Sequence, residues 1–216
     1  MSYRDVAREA GLDFRWGNGG KSPLTNLETF GAGCAFLDAD ADGWMDALLV
    51  GDPNSALFRN KKDGTFQNIT AGSGLDRARG AWKGCAIGDY DADGRLDILL
   101  TGYNCLTLLR GSGGGKWTDV TARAGLGPQG WASSAGFMDL DNDGWLDLVV
   151  GSYVIFNEHT RQYCEMQPGV QSGCPPQEYR PQFGRVYRND RKGGFQDIST
   201  QAEMKTTHGK VLAVSF

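Results

Sequence analysis

Twelve aspartates in this 216-residue chain fall into three groups with a single spacing, D-x-D-x-D-G-x-x-D. They are Asp38, Asp40, Asp42 and Asp46; Asp89, Asp91, Asp93 and Asp97; and Asp139, Asp141, Asp143 and Asp147. Carboxylates at positions 1, 3 and 5 converge only where the backbone curls tightly, and glycine at position 6 permits that turn. The backbone carbonyl at position 7 (Trp44, Arg95 and Trp145) can add an oxygen, and the aspartate at position 9 closes the cage. Oxygen ligands with this much charge suit a hard cation. Several carboxylates and a carbonyl match Ca2+ better than the small octahedral shell of Mg2+. One Ca2+ per loop is the expectation.

An EF-hand would need a bidentate glutamate at position 12 and flanking helices. Position 12 is Leu49, Leu100 or Val150, each inside a short apolar run, so that loop type is excluded. Aspartate and glycine favour turns without any metal, but turn preference alone does not account for one nine-residue spacing repeated three times. Without a cation the four carboxylates of a loop repel one another, so metal should order it.

The elements that must carry these loops repeat as well. Ala47–Val50, Ile98–Leu100 and Leu148–Val150 follow the loops and read as buried strands. A strand at Ala56–Arg59 leads through the turn Asp63-Gly64 and back along Phe66–Ile69 as a hairpin. An aromatic-led outer element recurs at Phe66–Leu75, Trp117–Leu126 and Phe195–Met204, with a further copy at Tyr3–Leu12. Asp46 to Phe66 and Asp97 to Trp117 are both 20 residues, whereas Asp147 to Phe195 is 48, so the third repeat carries an insertion. A repeat of about 50 residues with four short strands has the size of a propeller blade.

The expected fold is therefore all-β: a β-propeller of four-stranded antiparallel blades, about three of them present. Blade 1 is read at 32–75, blade 2 at 80–126 and blade 3 at 131–204 with an insertion at 154–182. Residues 1–12 read as an outer strand closing the last blade, and 208–216 as the first strand of the next. The chain stops where the first aspartate of a fourth loop is expected, so the expectation is an N-terminal part of a longer propeller.

Composition bounds the function. Glycine, at 32 residues, is about twice the average share of ~7 %. A net charge of −4 excludes a basic nucleic-acid binder, and three divalent ions would carry it to +2. No apolar run is long enough to span a membrane, and the N-terminus lacks the pattern of a signal peptide. His159 and His208 sit in no nucleophile–base pattern, and no phosphate-binding loop, dinucleotide fingerprint or nucleophile elbow occurs. A cage filled by four carboxylates and a carbonyl leaves little room for substrate, so no catalysis is expected. Of the five cysteines, Cys164 and Cys174 in the insertion are placed to form a disulfide stapling a long loop, which implies an oxidising compartment. Cys34 and Cys85 read as small buried core residues, and Cys105 has no assigned partner. The aromatic insertion (Tyr153, Phe156, Tyr163, Tyr179) is either a partner-binding surface or a lid on its own blade.

These residues resemble the FG-GAP/VCBS repeats of integrin-α-like propellers, and more closely the cartilage acidic protein/ASPIC–UnbV group. The resemblance rests on the acidic loops, Glu28–Gly31, Leu57–Asn60 with Asp63–Phe66, Val186–Asn189 with Gly194-Phe195, and Cys174-Pro175-Pro176 running into Tyr179. It implies a seven-bladed ring, structural calcium on the twelve aspartates, and a role outside the cytoplasm with a protein or glycan partner. Repeat two departs from the pattern, with Gly111–Gly115 in place of an asparagine-led turn. An enzyme acting on glycans and a structural assembly subunit are the alternative roles.

Overall fold

Each acidic loop joins the first two strands of a four-stranded antiparallel sheet, in a computed structural model that describes residues 3–17, 23–31, 33–157, 159, 162–204 and 209–214. Blade 1 runs β1 (Cys34–Leu37), β2 (Asp46–Leu49), β3 (Ala56–Asn60) and β4 (Phe66–Asn68). Blade 2 runs β5 (Ala81–Gly88), β6 (Asp97–Tyr103), β7 (Cys105–Gly111) and β8 (Trp117–Asp119). Blade 3 opens with β9 (Ala132–Met138) and β10 (Asp147–Ser152). After the small hairpin β11 (Tyr163–Gln167) and β12 (Val170–Gly173) it resumes with β13 (Arg185–Asn189) and β14 (Phe195–Asp197). Register is the same around all three loops: Leu37 pairs with Asp46, Gly88 with Asp97 and Met138 with Asp147.

The core lies between the sheets. Successive strand residues face opposite ways, and in β6 this places Ile98 and Leu100 against Leu37, Leu48 and Leu57 of blade 1. Leu99, one residue over, joins Leu148, Val150, Tyr187 and Phe195 of blade 3. A strand buried on both faces reads as a continuous apolar run, which is why these runs were legible. Each fully buried leucine contributes about 1.5–3 kcal/mol.

The tail of each outer element clasps the next blade. Trp117 N–H donates to Ser73 O (2.7 Å) and Phe195 N–H to Ala124 O (2.9 Å). The N-terminal copy does the same, with Phe66 N–H donating to Ala10 O (2.7 Å). This corrects the expectation of an outer strand over 1–12: residues 3–12 form no strand, because Val6–Leu12 coils into a turn capped by Gly11 and lies on blade 1. Met1 and Ser2 lie outside the described residues.

The second terminal expectation also changes. His208, Ser215 and Phe216 lie outside the described residues, and 209–214 form no strand. Val211 meets blade 3, its N–H donating to Ser152 O (3.0 Å) and its carbonyl accepting from Ser133 Oγ (2.6 Å), and the Val211 and Val214 side chains pack at Gly151.

The insertion folds onto its own blade. Trp131, fully buried, is ringed by Phe30, Tyr103, Tyr153 and Phe156 at 5.1–6.0 Å between centroids. Tyr179 is buried beside Phe156. Cys164 and Cys174 form a disulfide across the β11–β12 hairpin. A short helix, α1 (Asn26–Thr29), caps this cluster, with the Glu28 carboxylate accepting from Thr25 N–H (2.8 Å). None of the helices among the described residues is long and apolar enough to cross a membrane.

Cys34 is exposed, against expectation, while Cys85 is half-buried. The strand β5 lies between β1 and β9, whereas among the described residues β1 has a blade on one side only.

Candidate metal centres

Within each loop the backbone is folded around the position-1 aspartate. Asp38 accepts the N–H groups of Asp42 and Gly43 (2.9 and 2.8 Å), and Asp89 and Asp139 take the same two donors in their loops. The position-5 carboxylate accepts the position-7 N–H, as Asp42 does from Trp44 (2.9 Å). Glycine at position 6 has φ of 81–87° as expected, and so does a residue with a side chain: Ala41, Ala92 and Asn142 at position 4 have φ of 53–59°. A left-handed alanine costs about 1–2 kcal/mol, so the first two loops hold strain that their packing must sustain, whereas the Asn142 of the third tolerates this backbone.

Oxygens from three carboxylates converge in every loop, all within 4.8 Å of one another. The donors are Asp38, Asp40 and Asp42 in the first loop. In the others they are Asp89, Asp91 and Asp97, and Asp139, Asp141 and Asp147. Oxygens bound to one Ca2+ at 2.3–2.6 Å sit at most about 5 Å apart across the ion, so the spread fits. The chemistry of the site adds a second sign. Asp40 Oδ1 and Asp91 Oδ1 are buried with no hydrogen-bond partner, which is costly unless a cation meets them.

Position 9, which supplies a converging oxygen in the second and third loops, also has a structural part. Asp46, Asp97 and Asp147 are 1, 0 and 1 % exposed. Each ties the loop to the sheet, one oxygen accepting the position-2 N–H and the other an N–H at the end of the third strand. For Asp97 these come from Tyr90 (2.9 Å) and Gly111 (2.7 Å). Burial pushes the Asp97 carboxyl up to about 7 and raises that of Asp46, the backbone donors opposing it in both.

Cationic partners were not foreseen from the aspartate spacing. Arg59, Arg110 and Arg188 each pair with the position-3 aspartate of their own blade, Asp40 (2.8 Å), Asp91 and Asp141 (3.2 Å). At position 5, Lys62 meets Asp42 (3.0 Å), Arg110 meets Asp93 (2.5 Å) and Arg191 meets Asp143 (3.0 Å). The hydrogen bond from Lys62 holds the Asp42 carboxyl below its usual range, and the Trp145 N–H followed by Arg191 does so for Asp143. The signal was present, an arginine recurring next to last in each third strand. Beside the first loop a cavity of ≈ 230 Å³ opens between blades 1 and 2, with Asp38 and Asp40 on one wall and Arg95 and Lys116 on the other.

Comparison with known proteins places this repeat. A family model described as the FG-GAP-like repeat matches residues 38–100 and 89–150, so it covers more than half of the chain and all three loops. Cartilage acidic protein 1 of Homo sapiens is 33 % identical over 104 residues, 48 % of this chain and 14 % of that protein. The Xenopus tropicalis protein of the same name is 40 % identical over 48 residues, 22 % of this chain and 7 % of that one. The matches span about one seventh or less of the length of these relatives. A solved structure described as recognition of non-reducing terminal N-acetylglucosamine by an Agrocybe aegerita lectin superposes with a TM-score of 0.36 at 20 % identity. It covers 74 % of this chain and 49 % of that one. With the matched repeat spanning all three loops, the chain belongs to the FG-GAP repeat family.

Proposed function

We propose that the chain is a calcium-stabilised propeller segment that binds a protein or glycan partner outside the cytoplasm, and that it is not a catalyst. The observation that carries the metal reading is the pair of buried, unpartnered oxygens on Asp40 and Asp91, each within a cluster of converging carboxylates. Calcium on the twelve aspartates, with the carbonyls of Trp44, Arg95 and Trp145 completing the shells, would neutralise the loops and lock the first two strands of each blade together. Four carboxylates and a carbonyl would fill most of a Ca2+ shell of six to eight oxygens and leave little room for a substrate, which favours binding over catalysis. The Cys164–Cys174 disulfide and the kinship to cartilage acidic protein 1 support an oxidising, extracytoplasmic setting.

Terbium luminescence tests the metal reading. Trp44 and Trp145 at position 7 should sensitise bound Tb3+, and Ca2+ should displace it; no sensitised emission would contradict the assignment. Retention of the calcium-loaded chain on immobilised glycans or extracellular proteins, lost in chelator, would support the binding role. Turnover of a glycan would contradict it.

A further inference from the structure

One arginine stands next to last in the third strand of every blade: Arg59 in β3, Arg110 in β7 and Arg188 in β13. Each meets the position-3 aspartate through Nε, and in all three cases the aspartate oxygen engaged is Oδ2. In Asp40 and Asp91 the other oxygen, Oδ1, is the buried one without a partner. In blades 1 and 2 the arginine thus takes one oxygen of the carboxylate and leaves the second unmatched.

We propose that Arg59, Arg110 and Arg188 are positioning residues for the metal: each anchors Oδ2 of the position-3 aspartate and so aims Oδ1 at the ion. The inference rests on the calcium reading above. Two effects of opposite sign compete at such a residue. A guanidinium repels a nearby divalent ion, so removing it should tighten binding. An aspartate released from its anchor must be ordered when the ion binds, so removing the arginine should weaken binding. The division of the carboxylate decides for the second: the guanidinium charge is already matched on Oδ2 as an ion pair in all three blades, and Arg110 adds a fork, Nε to Asp91 and a second nitrogen to Asp93, that a lysine ammonium would not present.

The same strand also carries the position-9 contact. Asn60, Gly111 and Asn189, each directly after the arginine, donate N–H to Asp46, Asp97 and Asp147 at 2.7–2.8 Å. Two neighbouring residues on one strand end therefore hold the carboxylates at positions 3 and 9, and the third strand acts as the loop's template.

The test is calorimetric calcium titration of the whole 216-residue chain carrying Arg59→Met, Arg110→Met or Arg188→Met, with Arg→Lys at each position alongside. Each Met variant should weaken one of three calcium equivalents by about 10–100-fold, the usual cost of losing an outer-shell partner. The other two equivalents should not change. Arg110→Met should show the largest loss, because Arg110 serves Asp91 and Asp93 together. The Lys variants should recover part of the affinity, and they carry the test if a Met variant fails to fold. These arginine side chains are 37–52 % exposed, so melting temperature in chelator should barely move. That separates positioning of the metal from a purely structural role. Unchanged or tighter calcium binding in the Met variants overturns this inference alone. Absence of binding in the unsubstituted chain overturns the calcium reading and this inference with it.

Discussion

Asn189 donates its side-chain amide to the carbonyl of Tyr90 at 2.7 Å, joining residues 99 positions apart and tying blade 3 to the acidic loop of blade 2. The same amide donates to Leu146 O (3.0 Å), and its oxygen accepts from Arg191 N–H (2.8 Å). Asn60 makes the equivalent bonds inside blade 1, to Met45 O (3.0 Å) and from Lys62 N–H (2.8 Å). Blade 2 has Gly111 there, and the indole N–H of Trp117 takes over the matching carbonyl, Leu96 O (2.9 Å). The departure of repeat two is thus compensated by the tryptophan that replaces phenylalanine.

Asn189 is buried, and replacing it strands two carbonyls and one N–H. Asn189→Ala should cost about 2–3 kcal/mol by denaturant titration. Asn60→Ala should cost less, because no bond to another blade is seen for Asn60 among the described residues. Equal losses would show that the bond to Tyr90 adds nothing.

Gly74 clasps blade 2 so closely that a β-carbon would lie 2.1 Å from Trp117 O, and its φ is +93°. Gly74→Ala should destabilise by more than about 2 kcal/mol, strain and backbone clash adding. Gly72, also at positive φ but with open space around it, should tolerate alanine at a smaller loss. A Gly74→Ala protein with unchanged stability would mean the clasp is loose.

Much of this architecture could be read from the residues. The loops were legible because glycine and aspartate at fixed offsets leave few backbone solutions, and the strands because burial on both faces writes uninterrupted apolar runs. The cationic partners were not, since an arginine on a strand looks like any solvated polar residue until the strand end is seen beside the loop. Nor does alanine at position 4 announce a left-handed backbone. Cys34 differs from its expected burial because that burial depends on a neighbouring sheet rather than on its own strand, whereas the strand of Cys85 has neighbours on both sides.

The free thiols should divide by environment. Burial pushes the Cys85 and Cys105 thiols up to about 12, so almost no reactive thiolate exists at pH 8. Cys34 is exposed. Ellman's reagent should label one thiol rapidly in the native chain and the other two only in denaturant. Rapid labelling of all three would contradict the packing.

Asp97 gives a pH signature in the metal-free protein. Its folded carboxyl titrates near 7, against about 3.9 when unfolded. Between those values the folded state binds the proton more tightly, so this group's stabilising effect is complete below the lower value. It is lost as pH rises through the upper one. In chelator, melting temperature should fall from pH 5 to pH 8 more steeply for the unsubstituted chain than for Asp97→Asn. Identical slopes would refute it. The lowered carboxyls of Asp42 and Asp143 act with the opposite sign and in more acidic solution, outside this window.

The central claim, that the three acidic loops are structural calcium sites, is tested most directly by calorimetric calcium titration with a chelated sample melted in parallel. The expected result is one calcium per loop, three in all, and a clear rise in melting temperature on loading. No heat of binding and an unchanged melting temperature would reduce the loops to turns balanced by their own arginines and lysine, and would contradict the claim.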